Sequence, residues 1–304
     1  MRNAKRLQFS YWDVFSARKF EGNSLPVLFT SRSLSDAAML RIAREFRTTE
    51  TVFIQGRPPF KNKNEHRIRI MTPHGEIPFA GHPLLGAAAA LADTSPTFLA
   101  RPGHTYQAAF SLPNGRVQVQ ATSSVAGCDC EMAVPLAKIQ PVRQPSRLLT
   151  ALRLSPSQLV RGDNLVTANI GIVFHLANCR SRNVVNAIAP DWDGLRRYCH
   201  YGSSSSDCYC FAHQRRGKVM HVWARCFLGS GGEDSGTGSA AACVGSWLVA
   251  RNEVQSLDRL VITQGRQGTR VSIIELGFYV DPNGVRSLRL GGAAVKLMEG
   301  WIST

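Results

Sequence analysis

The feature that most constrains this chain is an apolar helix entered through a glycine-rich turn. Gly232-Glu233-Asp234-Ser235-Gly236-Thr237-Gly238-Ser239 leads into Ala240-Ala241-Ala242-Cys243-Val244-Gly245-Ser246-Trp247-Leu248-Val249-Ala250. A helix that is apolar on every side has no face to give to water and must be buried. Its first turn still carries unpaired N–H groups and partial positive charge, which suit an anion. Small residues let the backbone of the turn approach a bound group closely. A second stretch repeats the design: Pro78-Phe79-Ala80-Gly81-His82-Pro83-Leu84-Leu85-Gly86 runs into an alanine-rich segment ending at Ala92, and Asp93 is the first charge after it. Here His82 reads as the N-cap and Pro83 as the first helical residue. One such turn is weak evidence, because each helix alone also reads as an ordinary core helix. Two of them, one in each half, point to an internal duplication. If the halves face each other, both helix N-termini can converge on one anionic ligand.

The chain has 304 residues, enough for two domains of about 150 each. Ser123-Ser124-Val125-Ala126-Gly127 reads as the joint, giving domains 1–127 and 128–304. Hydrophobic residues make up 44%, which supports two cores and argues against disorder. Neither a secretory leader nor an apolar run near ~18 residues stands out. The expectation is a soluble, cytoplasmic protein. The net charge of +15 raises nucleic-acid binding. The basic residues are scattered and no nucleic-acid module surrounds them, so a basic surface that attracts small acids is the preferred reading.

All eight cysteines lie from position 128 onward, and two pairs are Cys-x-Cys, Cys128/Cys130 and Cys208/Cys210. Zinc sites show other spacings, so buried reduced thiols are expected and no metal is. On a strand both thiols of such a pair share one face and pack as small hydrophobes.

Strands are expected at Tyr11–Phe15, Leu25–Phe29, Thr51–Ile54, Arg67–Met71 and Asn169–Leu176. A helix should start near Ser33 or Ser35, with Ala38, Met39, Ile42, Ala43 and Phe46 on its apolar face. Glu50 sits where that helix gives way to a strand, a place where catalytic side chains occur and where most glutamates are merely solvated. Each half thus reads as strands, helix, strands, buried helix, strands. That order is α+β and lacks the strand–helix alternation of a parallel sheet.

Taken together these segments resemble the phenazine-biosynthesis isomerase (PhzF-like) family, within the diaminopimelate-epimerase-like fold. The resemblance runs from Asp13-Val14-Phe15 and Phe20–Asn23 through Thr49–Phe53, Arg69–Pro73, Phe79–Pro83 and Gly86. It continues in Gly232-Glu233-Asp234, Thr237–Ala240, Gln264-Gly265, Arg270–Ser272 and Gly291-Gly292. It implies two pseudo-symmetric domains, each a curved, barrel-like mixed sheet wrapped around a central buried helix, with the active site in the cleft between them. It implies a cofactor-independent proton shift on a small amino- or hydroxy-carboxylic acid, in secondary-metabolite biosynthesis. Glu50 matches the family's acid/base, and Gly81, His82, Asp234 and Ser239 match positions that hold or protonate substrate. Ser235, Gly236 and Gly238 complete the turn that would bind it. A homodimer is the expected assembly.

Ser235 follows Asp234 where the family usually has proline. The turn also resembles the Cys-Gly-Thr-Gly turn of proline racemases and diaminopimelate epimerases, whose two-thiol positions correspond here to Ala80 and Ser235. A serine hydroxyl is a poor base without an activating neighbour, which argues against thiol-type racemisation. Three readings therefore stand. The first is an isomerase using Glu50, Asp234 and His82. The second is a racemase or epimerase using carboxylates. The third is a non-catalytic protein that binds a small acid or a nucleic acid. His82 and Ser239 also read as plain helix caps, and Asp234 as a brace for its turn.

Overall fold

The computed structural model describes residues 6–30, 34–56, 65–95, 98, 101–113, 115–162, 165–200, 206–254, 258–281 and 284–303. The chain divides into two compact units, Met1–Ala133 with Gly291–Thr304, and Val134–Leu290. The architecture is α+β and dominated by mixed sheet, with six α-helices among the described residues.

The first unit runs β1 (Arg6–Val14), β2 (Asn23–Thr30), α1 (Asp36–Phe46), β3 (Thr51–Gln55), β4 (Glu65–Thr72), β5 (Gly75–Ile77), α2 (Gly81–Asp93), β6 (Thr105–Leu112), β7 (Gly115–Ser124) and β8 (Gly127–Pro135). Helix α1 begins where its cap dictates: Ser35 Oγ accepts the Ala38 N–H at 3.3 Å. Ser33, the other candidate cap, lies outside the described residues. Strand β3 is buried from Thr51 to Ile54 without alternation, because both of its faces are covered. Phe53 packs with Met39, Ile42 and Ala43 of α1, and α2 packs on β3 as well as on β1, β2, β6 and β7. Every residue of α2 from Gly81 to Ala92 is buried.

The second unit runs β9 (Lys138–Pro141), α3 (Pro145–Leu152), β10 (Leu165–Asn169), β11 (Val173–Asn178), α4 (Arg182–Ala187), α5 (Trp192–Cys199), β12 (Ser206–Arg216), β13 (Val219–Phe227), β14 (Glu233–Asp234), α6 (Gly238–Ala250), β15 (Arg259–Gln264), β16 (Ser272–Asp281) and β17 (Gly284–Ser303). Helices α3 and α5 pack together on the thiols of Cys208 and Cys210 in β12. Helix α6 is buried from Gly238 to Leu248. All eight cysteines are buried and none is in a disulfide.

The two units use the same order of pairings. In the first, β1–β2 is antiparallel, β2–β3 parallel, β3–β4 antiparallel, β4–β6 parallel and β6–β7 antiparallel, with the short β5 antiparallel to β4 just before α2. In the second, β10–β11, β11–β12, β12–β13, β13–β15 and β15–β16 repeat that series, with the short β14 antiparallel to β13 just before α6.

Several local expectations are corrected. Asn169–Leu176 is not one strand but the β10–β11 hairpin, because Gly171 at φ 99° turns the chain. Residues 123–127 lie within the β7–β8 hairpin, whose turn is at 125–126, and the two compact units divide between Ala133 and Val134. The last strand, β17, runs from Gly284 to Ser303. Its C-terminal part belongs to the first unit, where β17 pairs with β1 and β8 and closes a ring of strands. Among the described residues no helix is long and apolar enough to cross a membrane.

Candidate functional site

In the first unit three polar side chains meet at the entry to α2. Glu50 directly precedes β3, which aligns it beside the first turn of the helix. The helix begins one residue earlier than its sequence suggests: Ala80, at φ −153° and ψ 144°, is the N-cap, and Gly81 is the first helical residue. His82 is therefore inside the first turn and not a cap. Its ring is buried, with Nε2 3.6 Å from Glu50 Oε2. The buried Asn23 amide faces the other ring nitrogen, Nδ2 to Nδ1 at 3.4 Å. An amide N–H can only donate, so Nδ1 is the acceptor and the proton sits on Nε2, toward Glu50. Burial pushes the His82 pKa down to about 3, so the ring is neutral at pH 7. The hydroxyls of Thr49 and Thr51, on either side of Glu50, and His82 Nε2 are buried without a hydrogen-bond partner among the described residues. Buried polar atoms of this kind call for a polar group to satisfy them.

In the second unit the entry to α6 is a closed network. Thr237 is the N-cap and Gly238 the first helical residue, so Ser239, like His82, lies inside the first turn and not at the cap. Ser239 and Asp234 are buried, Gly236 is buried and Ser235 is half-buried. The Thr237 hydroxyl donates to Asp234 Oδ2 at 2.5 Å. Gln264 Nε2 donates to the Asp234 carbonyl at 2.8 Å and to Thr237 Oγ1 at 2.9 Å. Gln264 Oε1 accepts the Tyr209 hydroxyl at 3.0 Å and the Thr237 N–H at 2.9 Å.

Thus Glu50, His82 and Gly81 come together in one unit, and Asp234, Ser235, Gly236, Gly238 and Ser239 in the other. Sequence reasoning assigned no role to Asn23, Thr237, Tyr209 or Gln264. Asn23 and Gln264 stood inside matched segments and offered that much signal, whereas Tyr209 offered only a place on a strand. Asp207 on β12 was also missed. Burial raises its pKa to about 6, the Gly229 N–H at 2.8 Å opposes the rise, and the Asp234 charge adds to it. It follows a run of serines, which carries no signal at all.

Comparison with known proteins gives a consistent outcome. The family described as phenazine biosynthesis-like protein matches residues 12–300. An uncharacterized isomerase of Mesorhizobium japonicum is 31% identical over 299 residues, covering 95% of this chain and 96% of that protein. The trans-2,3-dihydro-3-hydroxyanthranilate isomerase of Pseudomonas aeruginosa is 30% identical over 258 residues, 83% of this chain and 84% of that one. Among solved structures, a predicted epimerase from Pseudomonas aeruginosa superposes with a TM-score of 0.77 at 26% identity, over 98% of this chain and 99% of that chain. A hydroxyproline epimerase from Agrobacterium vitis, with a TM-score of 0.64 at 13% identity over 100% of this chain and 94% of that chain, shares the fold.

Proposed function

This chain belongs to the phenazine biosynthesis-like protein family, and on that premise we propose that it is a cofactor-independent isomerase that moves a proton between two carbons of a small amino- or hydroxy-carboxylic acid. The observation that carries the reading is the Glu50–His82 pair, a carboxyl group 3.6 Å from a buried, neutral imidazole. Glu50 takes a proton from one carbon as the double bond shifts, and returns it to a second carbon on the same face. One group serves both steps, so no proton is gained or lost overall. A neutral His82 keeps Nε2–H as a donor toward substrate without adding a fixed cation that would hold Glu50 ionised. Backbone N–H groups at Gly81 and Gly238 and the N-termini of α2 and α6 accept the negative charge that develops. Ser239, Ser235 and Gly236 line the turn, and Asp234 receives the substrate's amino or hydroxyl group.

This reading takes the two units to be pseudo-symmetric, each sheet wrapped around its buried helix. The repeated order of pairings supports the duplication. The alternative is an epimerase that uses the same carboxylates to invert a centre. Incubation with cyclic and aromatic amino acids in deuterated water separates the two. An isomerase places deuterium on a new carbon as the double bond moves, and an epimerase places it on an inverted centre. Absence of double-bond movement, of inversion and of exchange with every candidate while the acids bind would overturn both in favour of a binding protein.

A further inference from the structure

Gln264 ends β15 and its side chain is fully buried. Each end of its amide has two partners: Oε1 accepts from the Tyr209 hydroxyl and the Thr237 N–H, and Nε2 donates to Thr237 Oγ1 and the Asp234 carbonyl. Turning the amide over would set donors against the Thr237 N–H and an acceptor against the Asp234 carbonyl, so its orientation is fixed. Because Thr237 Oγ1 accepts from Gln264, its own proton is free for one direction, and it points to Asp234 Oδ2 at 2.5 Å. A carboxyl oxygen that accepts a hydrogen bond in this way is stabilised in its charged, accepting form. The same contacts tie the carbonyl of Asp234 and the N-cap of α6 to one side chain.

We propose that Gln264 is a positioning residue of the site: through Thr237 it holds the Asp234 carboxyl as a hydrogen-bond acceptor and sets the first turn of α6. The inference rests on Asp234 being a site residue, as argued above. Among the described residues, the titratable groups that act on Asp234 include Asp207 and Tyr209 on β12 and Cys226 on β13, whose thiol is also hydrogen-bonded to Thr237. Burial raises Tyr209 and Cys226 far enough to keep both neutral at pH 7. Asp207, raised to about 6, is the one of the three that titrates near neutral pH, and its contribution has to be removed separately.

The test is a carbon-detected NMR titration of the Asp234 carboxyl, which requires no substrate. It is read in the unaltered protein, in Gln264→Leu, Thr237→Val, Thr237→Ser and Tyr209→Phe, and again in an Asp207→Asn background. Losing the hydroxyl donor should raise the Asp234 titration by about one pH unit in Gln264→Leu and Thr237→Val. Thr237→Ser should restore it, and Tyr209→Phe should move it less. An unmoved titration in Thr237→Val overturns the proposal even if Gln264→Leu fails to fold, and so does an unmoved titration in a folded Gln264→Leu. Turnover of Asp234→Asn is the separate control. Unimpaired Asp234→Asn would sink the reading of Asp234 as a site residue and leave the titration result standing. Impaired Asp234→Asn with an unmoved titration in Gln264→Leu would overturn the positioning role alone.

Discussion

The sheet row that ends at the short strand before α2 and the row that ends at the short strand before α6 share a frame and differ in chemistry. In the first unit, Ile77 ends the short strand and pairs with Ile70, which pairs with Val52. In the second, Asp234 ends the short strand and pairs with Cys226, which pairs with Tyr209. Two residues before Val52 stands Glu50, and two before Tyr209 stands Asp207, so each row is flanked by a carboxyl group. The first row is wholly apolar and the second is bound into hydrogen bonds by Gln264. The lesson is that one backbone frame supports two electrostatic tasks. In the first, Glu50 lies beside a buried, neutral imidazole. In the second, Asp234 is bound into the Gln264 network while Asp207, flanking the row, is raised by burial to about 6.

The frame also repeats an ion pair. Next along the strands, Arg69 binds Glu76 and Arg225 binds Glu233, each through two nitrogens. Arg69 is 23% exposed, and Arg225 is 2% exposed. Arg225 also donates Nη1 to the carbonyls of Val185, Asn186 and Ile188 at the end of α4. Glu76 and Glu233 are exposed alike, and the arginines differ: Arg69 is partly exposed and also reaches Asp36 of α1 at 2.8 Å, whereas Arg225 is buried.

The sharpest way to break the comparison is to neutralise each flanking carboxyl. Glu50→Gln should cut turnover by about 10²–10⁴-fold with a much smaller change in substrate binding. Asp207→Asn keeps an acceptor for the Gly229 N–H and should cost less than about tenfold. Equal losses in the two variants would show that the carboxyls act as a pair, and turnover of Glu50→Gln within a few-fold of the unaltered protein would defeat the proton-shuttle role.

The ion pairs give the next largest contrast. Arg225→Met leaves Glu233 and three carbonyls without their donor and should destabilise the fold by about 3–5 kcal/mol in denaturant unfolding. Arg69→Met, at the matching position, should cost about 0–1 kcal/mol. Similar values would mean that burial does not separate the two sites.

Acid sharpens the role of the buried imidazoles. His82 and His175 are pushed down by burial to about 3 and about 4, while in the unfolded chain each titrates near about 6.5. The unfolded state therefore binds more protons below that value, and stability is full above it and falls as pH is lowered toward 4. Each histidine contributes a slope of at most about 1.4 kcal/mol per pH unit. His82→Gln should flatten the acid limb of the unfolding curve measured at successive pH values, and an unchanged limb would mean that His82 is not desolvated.

The smallest expected effect compares the helix cores. A Cβ on Gly86 of α2 would lie 2.4 Å from Leu25 Cδ2 and 2.9 Å from Val14 Cγ2. On Gly245 of α6 the nearest atoms are Leu276 Cδ1 and Leu288 Cδ1, both at 3.2 Å. Gly86→Ala should cost about 1–3 kcal/mol and Gly245→Ala less, since it needs only a small shift of two leucines. Thermal unfolding of the two variants checks the order.

The sequence by itself determined what composition and periodicity can carry. Two helices apolar on every side had to be buried, α1 had to start near Ser33 or Ser35, and the segment order had to give α+β. Matched glycine turns marked His82 and Asp234 locally, and the resemblance to the family pointed to Glu50. Tertiary structure decided everything that depends on a partner distant in the chain. Nothing local tells that Gln264 reaches back to Thr237 and Asp234, that Asn23 fixes the tautomer of His82, or that β17 leaves its own unit to close the ring beside β1. Nor could a cap be told from a first-turn residue: His82 and Ser239 read as caps, yet Ala80 and Thr237 hold those places. Arg69 and Arg225 make the point physically. Residue type and strand register are alike, and the packing of α4 over Arg225 buries its guanidinium, whereas Arg69 beside α1 stays partly exposed.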